Sequence, residues 1–223
     1  MSLFNLGPTC DFIAVLRKKW EDLGCSSGVH RDEFARASYV LFDRLVFEYT
    51  SGLWRGSSDS KLRNDLSNYK DRFTALPVEN WATLIENACG ESNENYATKE
   101  ALLYYFATLQ DKQPDPSGEK EYDIDHIIPQ SKIDAAPLGV VNKNLKNSLG
   151  NMALLPRRKN EAKNAKFLKD VGDDLKLEIA QYADVSLEDF PKYSNLTSLP
   201  NLIEERKKVF WGLLNKRSEL FGS

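Results

Sequence analysis

The chain has 223 residues, 41% hydrophobic and 11% aromatic, enough for a packed core in one large domain or two small ones. No apolar run of about 18 residues occurs, and the start lacks a basic stretch followed by an apolar one, so neither a membrane span nor a signal peptide is indicated. A net charge of −3 and a pI near 5.6 speak, as sums, against nucleic acid as a partner, whereas Cys10, Cys25 and Cys89, odd in number and without a Cys-x-x-Cys pair, argue for a reducing compartment, with the cytoplasm as default, and against a structural zinc site.

In chain order, residues 1–8 show no period. Thr9 offers an N-cap to a helix over 10–23, where Phe12, Val15, Leu16, Trp20 and Leu23 recur at helical spacing until Gly24. Residues 31–49 form a second, more apolar helix opened by His30, read as a polar helix-start residue. Residues 51–60, rich in Gly and Ser around Arg55, make either a helix-capping loop or a loop in which Arg55 and Ser57 meet a phosphate. The segment lacks the Gly-Lys-Ser/Thr ending of a P-loop, so nucleotide binding is unsupported. Two helices follow, over 60–73 and 78–88. Residues 97–110 are too hydrophobic for a single apolar stripe and predict a helix buried on most sides. It leads through the turn cluster 114–118 into the most informative part of the chain.

There, Tyr122-Asp-Ile-Asp-His-Ile-Ile128 interleaves apolar and acidic residues and stops at Pro129, the pattern of a short strand running into a turn that carries Asp125 and His126. Residues 132–148 form a long polar crossover, read as mobile. Gly150 bends the chain, 151–155 predict a second strand ended by Pro156, and 157–169 a helix. Between residues 142 and 169 stand eight Lys or Arg residues against Glu161 alone, so the basic charge is concentrated here despite the acidic total. An Asp and an Asn oxygen brought together make a hard-oxygen site with few protein ligands, which suits Mg²⁺ or a similar ion that keeps several waters. A neutral imidazole beside it can take a proton from an attacking water. Asn164, one turn from Asn160, and Asp123, on the strand face of Asp125, compete as oxygen donors.

The Asp-His-Ile-Ile-Pro-Gln-Ser run at 125–131, the Leu-Gly-Asn-Met-Ala-Leu-Leu run at 149–155 and the Lys-Asn pair at 159–160 resemble the HNH (ββα-metal) endonucleases, most of all the C-terminal nuclease domain of GmrSD-type modification-dependent restriction enzymes. The resemblance implies that Asp125 and Asn160 are metal ligands, that His126 is the general base, and that Asn151 holds the loop bearing the base. Asn160 stands where the family name would put its last His, which keeps an oxygen ligand and leaves the choice among Mg²⁺, Mn²⁺ and Ni²⁺ open. Arg157 and Lys163 are then the expected phosphate contacts, with DNA as partner. Such enzymes also have an NTP-binding half that senses modified DNA. Nothing in this sequence corresponds to it, so an excised domain, or a subunit whose partner does the sensing, is expected, and restriction of phage DNA follows from the resemblance alone.

Beyond this unit, residues 173–182 predict a short helix and 201–221 a long one that packs back on the first helices. The expected fold is mainly α: a helical bundle scaffold over 1–120, an inserted ββα-metal unit over 121–170, and closing helices over 171–223. The expected function is metal-dependent DNA hydrolysis. A nuclease-like DNA-binding module without activity, an RNA-cleaving toxin-type nuclease, and a helical protein with no catalytic role are the alternatives.

Overall fold

The computed structural model describes residues 6–24, 30–54, 58–91, 96–110, 112 and 122–221. These are mostly helical, with one two-stranded antiparallel sheet. In order they form α1 (Leu6–Asp22), α2 (Arg31–Thr50), α3 (Ser58–Ser67), α4 (Asn80–Cys89), α5 (Tyr96–Leu109), β1 (Tyr122–His126), α6 (Gln130–Asp134), β2 (Met152–Pro156), α7 (Arg157–Lys163), α8 (Asp173–Ala183) and α9 (Leu199–Phe221). Arg55 and Ser57, the turn cluster 114–118 and Glu121 lie outside the described residues. No described helix is long and apolar enough to cross a membrane. The chain falls into two compact units, Met1–Leu84 with Leu214–Ser223, and Ile85–Leu213.

In the first unit, Val15, Leu41, Leu45 and Trp54 form a buried cluster, with Phe12, Leu16, Tyr49, Leu66, Tyr69 and Phe73 packed against it. α1 begins before Thr9, because Pro8 falls in its first turn, where a missing N–H breaks no helical bond. The helix expected over 60–73 divides: α3 ends at Ser67, and a 3₁₀ turn, Tyr69–Phe73, follows. At the break the Asn68 side-chain amide donates to the Asn64 carbonyl (3.2 Å), a competing bond for helix-end backbone. Past the break, Arg72 turns inward and grips Glu48 with both terminal nitrogens, while Lys61 lies 3.0 Å from both Glu48 and Asp65. Near the end of the chain Arg217, buried, pairs with Asp43 and donates to the Leu76 carbonyl (2.6 Å).

Asp11 is fully buried beside this network, and burial together with the nearby Asp65 carboxylate pushes its carboxyl up from 3.8 to about 7. A folded pKa above the unfolded one means that the native state binds the extra proton. The Asp11 contribution is therefore complete below about pH 4 and is lost as the pH rises through about 7. The difference in melting temperature between wild type and Asp11→Asn is expected to fall over that window in favour of the variant. A pH-independent difference would rule the buried acid out as its source.

In the second unit β1 and β2 pair in register from Tyr122↔Pro156 to His126↔Met152. The strand β2 is buried from Met152 to Leu155, with α5 and α8 packed on it. On α5, Ala101, Leu102, Leu103, Tyr105 and Phe106 are buried, and Phe106 stacks on Phe210 of α9 at 4.5 Å. Arg206 of α9, buried, donates to the Met152 carbonyl (2.8 Å) and lies over the Phe210 ring, so α9 is fastened to the start of β2. Gly150 serves close approach rather than a bend: a Cβ there would stand 2.7 Å from the Ile203 Cα. No side-chain rotation relieves a clash with backbone, so Gly150→Ala should lower unfolding stability by about 1–3 kcal/mol. A wild-type urea midpoint for that variant would show that α9 yields freely.

The crossover expected to be mobile is held at several points. It carries α6 and a 3₁₀ turn, Lys143–Asn147, and Asp134 takes Lys143 on its backbone oxygen (2.7 Å) and Lys146 on its carboxylate (2.8 Å). Lys99, buried in α5, donates to the Asn147 carbonyl (2.6 Å). A lysine carried inward on an apolar helix must find an acceptor, and here the loop supplies it.

Candidate active site

The strand β1 ends at His126 because the next backbone groups are taken by a side chain. Asn151, fully buried, accepts from the Ile128 N–H (2.9 Å) and donates to the carbonyls of Ile128 (3.1 Å) and Lys146 (2.9 Å), while its own carbonyl accepts from the Ile127 N–H (2.8 Å). One carboxamide thus fastens the turn after His126 to the crossover. Both turns approach the same edge of the hairpin, and α7 follows β2 directly.

Between β1, α6 and α7 opens a cleft of about 420 Å³, bordered by Asp125, His126, Gln130, Ser131, Asp134, Asn160 and Asn164. Since a water takes roughly 30 Å³ in the liquid, there is room for a hydrated ion and a phosphate group together. Asp125, His126 and Asn160 therefore border one cleft.

Asp125 is buried, and its Oδ2 lies 2.8 Å from the ammonium of Lys163. Burial raises the Asp125 pKa, and Lys163 and the His126 backbone N–H pull it part of the way back. Lys163 has no exposed surface and also donates to the His126 carbonyl (2.8 Å). This side chain, expected to meet a phosphate, is turned inward and joins the Asp125 carboxylate to the backbone of His126. The reason is burial: a carboxylate largely removed from water needs a nearby cation, and α7 brings Lys163 to it.

His126 is partly exposed, with Nε2 3.0 Å from Asn147 Oδ1. That oxygen can only accept, so in this hydrogen bond Nε2 carries the proton and the lone pair of the neutral ring sits on Nδ1. Burial lowers the His126 pKa, more than Asn147 and Asp125 raise it, which keeps the ring neutral at neutral pH. Asn147 was hidden in sequence within a polar crossover, and only its place beside His126 distinguishes it from Asn142 and Asn144.

Asn160 borders the cleft, and its side chain has no hydrogen-bond partner among the described residues. The competing donors are placed otherwise. Asp123 lies 3.3 Å from Arg157, and the Asn164 Oδ1 accepts from the Ala165 N–H (2.8 Å). Arg157 is half exposed, so unlike Lys163 it keeps access to solvent. Lys159 pairs with Glu178 (2.8 Å). Among the described residues no three of His, Cys, Asp and Glu stand together as a metal cage, and Asp125 and Asn160, the expected ligands, both border the cleft. Two hard oxygens with open space in front fit a divalent cation that keeps several waters.

Comparison with families of known proteins places the chain among restriction-type nucleases. A model of the C-terminal domain of the GmrSD restriction endonucleases matches residues 82–198, more than half of the chain, and the chain belongs to that family. No curated protein and no solved structure matches it.

Proposed function

We propose that this chain is a metal-dependent HNH (ββα-metal) endonuclease that hydrolyses phosphodiester bonds of DNA. The observation that carries the reading is the gathering of Asp125, His126 and Asn160 on one open cleft, in a chain of a restriction-nuclease family. On this reading β1, β2 and α7 are the ββα unit, and Asp125 and Asn160 hold the ion. When bound, the cation supplies charge stabilisation for the non-bridging and leaving oxygens of the phosphate. Nδ1 of His126 accepts a proton from water as its oxygen attacks phosphorus, and the P–O bond opposite breaks. Asn147 holds the ring in the required tautomer, and Asn151 fixes the turn that carries it. Arg157, half exposed, exchanges Asp123 for a backbone phosphate.

Membership of a restriction family further supports a role in defence against foreign DNA, with a sensing domain or subunit on a separate chain segment. The test is incubation of supercoiled plasmid and of a structured RNA with Mg²⁺, Mn²⁺ or Ni²⁺, and with EDTA. Metal-dependent conversion of plasmid to nicked or linear form is expected. Cleavage of the RNA in preference would shift the substrate to RNA, and no cleavage of either would end the hydrolase reading.

A further inference from the structure

Asn164 stands in a backbone conformation that its own side chain opposes. Its φ of 49° and ψ of −146° belong to a region that glycine enters freely and residues with a Cβ seldom do. The reason for the conformation is local. α7 stops at Lys163, whose side chain goes inward to Asp125, and the chain reverses in a turn closed by the Lys166 N–H on the Lys163 carbonyl (3.2 Å), with Asn164 at its first corner. Backbone geometry alone selects glycine at such a corner. The sequence keeps a carboxamide there, on the rim of the cleft.

The orientation of that carboxamide decides what it can bind. Oδ1 is taken by the Ala165 N–H, while the NH₂ has no partner among the described residues. An NH₂ does not ligate a cation; it donates to an anion. Asp125, His126 and Asp134 have Lys163, Asn147 and Lys146 as partners, whereas the side chains of Gln130 and Ser131, on α6, are exposed and have no partner among the described residues. The Gln130 and Ser131 side chains and the Asn164 NH₂ are thus uncharged groups of the cleft that are able to donate.

We infer that Asn164 is a substrate-positioning residue, whose amide nitrogen donates to a phosphate oxygen of the nucleic-acid strand lying in the cleft, and that the strained corner is retained to aim it. This rests on the nuclease reading for its ligand but not for its test, which measures binding without metal.

Three proteins, wild type, Asn164→Gly and Asn164→Asp, are compared for thermal stability, for affinity to a fluorescent 20-base-pair duplex in EDTA, and for Mn²⁺ binding by calorimetry. Asn164→Gly relieves the corner, so its melting temperature should rise by about 2–4 °C, while its duplex affinity falls about tenfold and Mn²⁺ binding stays as in wild type. Asn164→Asp keeps the acceptor for Ala165 and so the stability, but it points a carboxylate at the phosphate and should bind duplex more weakly than the glycine variant. Higher stability with lower affinity is a combination that a residue serving only the turn does not give. Unchanged duplex affinity in either variant, weaker Mn²⁺ binding by Asn164→Gly, or a wild type that binds no nucleic acid would overturn the assignment. A wild type that binds duplex but cuts it with no divalent ion ends the nuclease reading, while the affinities still decide the role of Asn164.

Discussion

His126→Ala is expected to cut supercoiled plasmid at least about 10²-fold more slowly than wild type, the loss that follows removal of a general base. The rest of the site should survive the change. Among the described residues the His126 side chain has one hydrogen bond, to Asn147, and the contact that ties this residue to Lys163 uses its backbone carbonyl, which alanine keeps. The proposed ligands Asp125 and Asn160 are untouched. Initial cleavage rates in Mg²⁺, with the melting temperature and Mn²⁺ affinity measured on the same preparation, separate loss of the base from loss of the fold or of the ion. Cleavage at the wild-type rate would remove His126 from the reaction, whatever the cleft holds.

Lys163→Met is expected to be the most destabilising of the substitutions considered. It leaves the Asp125 carboxylate, itself 8% exposed, without the ammonium that now stands 2.8 Å away. Removing one partner of a buried ion pair typically costs about 3–5 kcal/mol, because the other charge stays behind uncompensated. Asp125→Asn in the same chain removes that stranded charge, so the double variant should recover a large part of the loss, a non-additivity that urea denaturation of the four proteins measures directly. A loss under about 1 kcal/mol, of the size found for exposed pairs, would show that the pair is open to solvent. Cleavage by the single variant cannot be read until its fold has been assessed, because the same ammonium also holds the His126 carbonyl.

Much of the architecture follows from local sequence. The apolar spacing in 31–49, 97–110 and 201–221 gives α2, α5 and α9 within two residues at each end. Pro156 marks the end of β2, since it cannot donate to a ladder. The places where local reading and structure part share one cause, a side chain that tertiary contacts have claimed. β1 stops at His126, two residues early, because the Asn151 carboxamide occupies the Ile128 backbone. α7 stops at Lys163 although residues 164–169 contain good helix formers, because Lys163 must reach Asp125 and the chain reverses at Asn164. The crossover 132–148 has the composition of a free loop, yet Lys99, Asp134 and Asn151 hold it. No periodicity within that segment reports on a lysine 48 residues away.

The sequence alone determined which chemical groups the cleft would contain. The Asp-His pair at a strand end, the Asn before a second strand and the Asn on a basic helix are legible as residue types at a spacing, and the family match over 82–198 covers them. Only the tertiary structure decided what each group is left free to do. Desolvation forces a buried carboxylate to capture a cation, and Lys163 is the one within reach, so a residue that composition assigns to the phosphate backbone becomes internal. By the same rule each hydrogen bond made inside the protein removes a donor or acceptor from the cleft. The Asn147 bond leaves the lone pair of His126 on Nδ1, and the Ala165 bond leaves Asn164 with its NH₂. Such pairings depend on distances that close only when the strands, the crossover and α7 have packed, and a chain read in one dimension does not contain them.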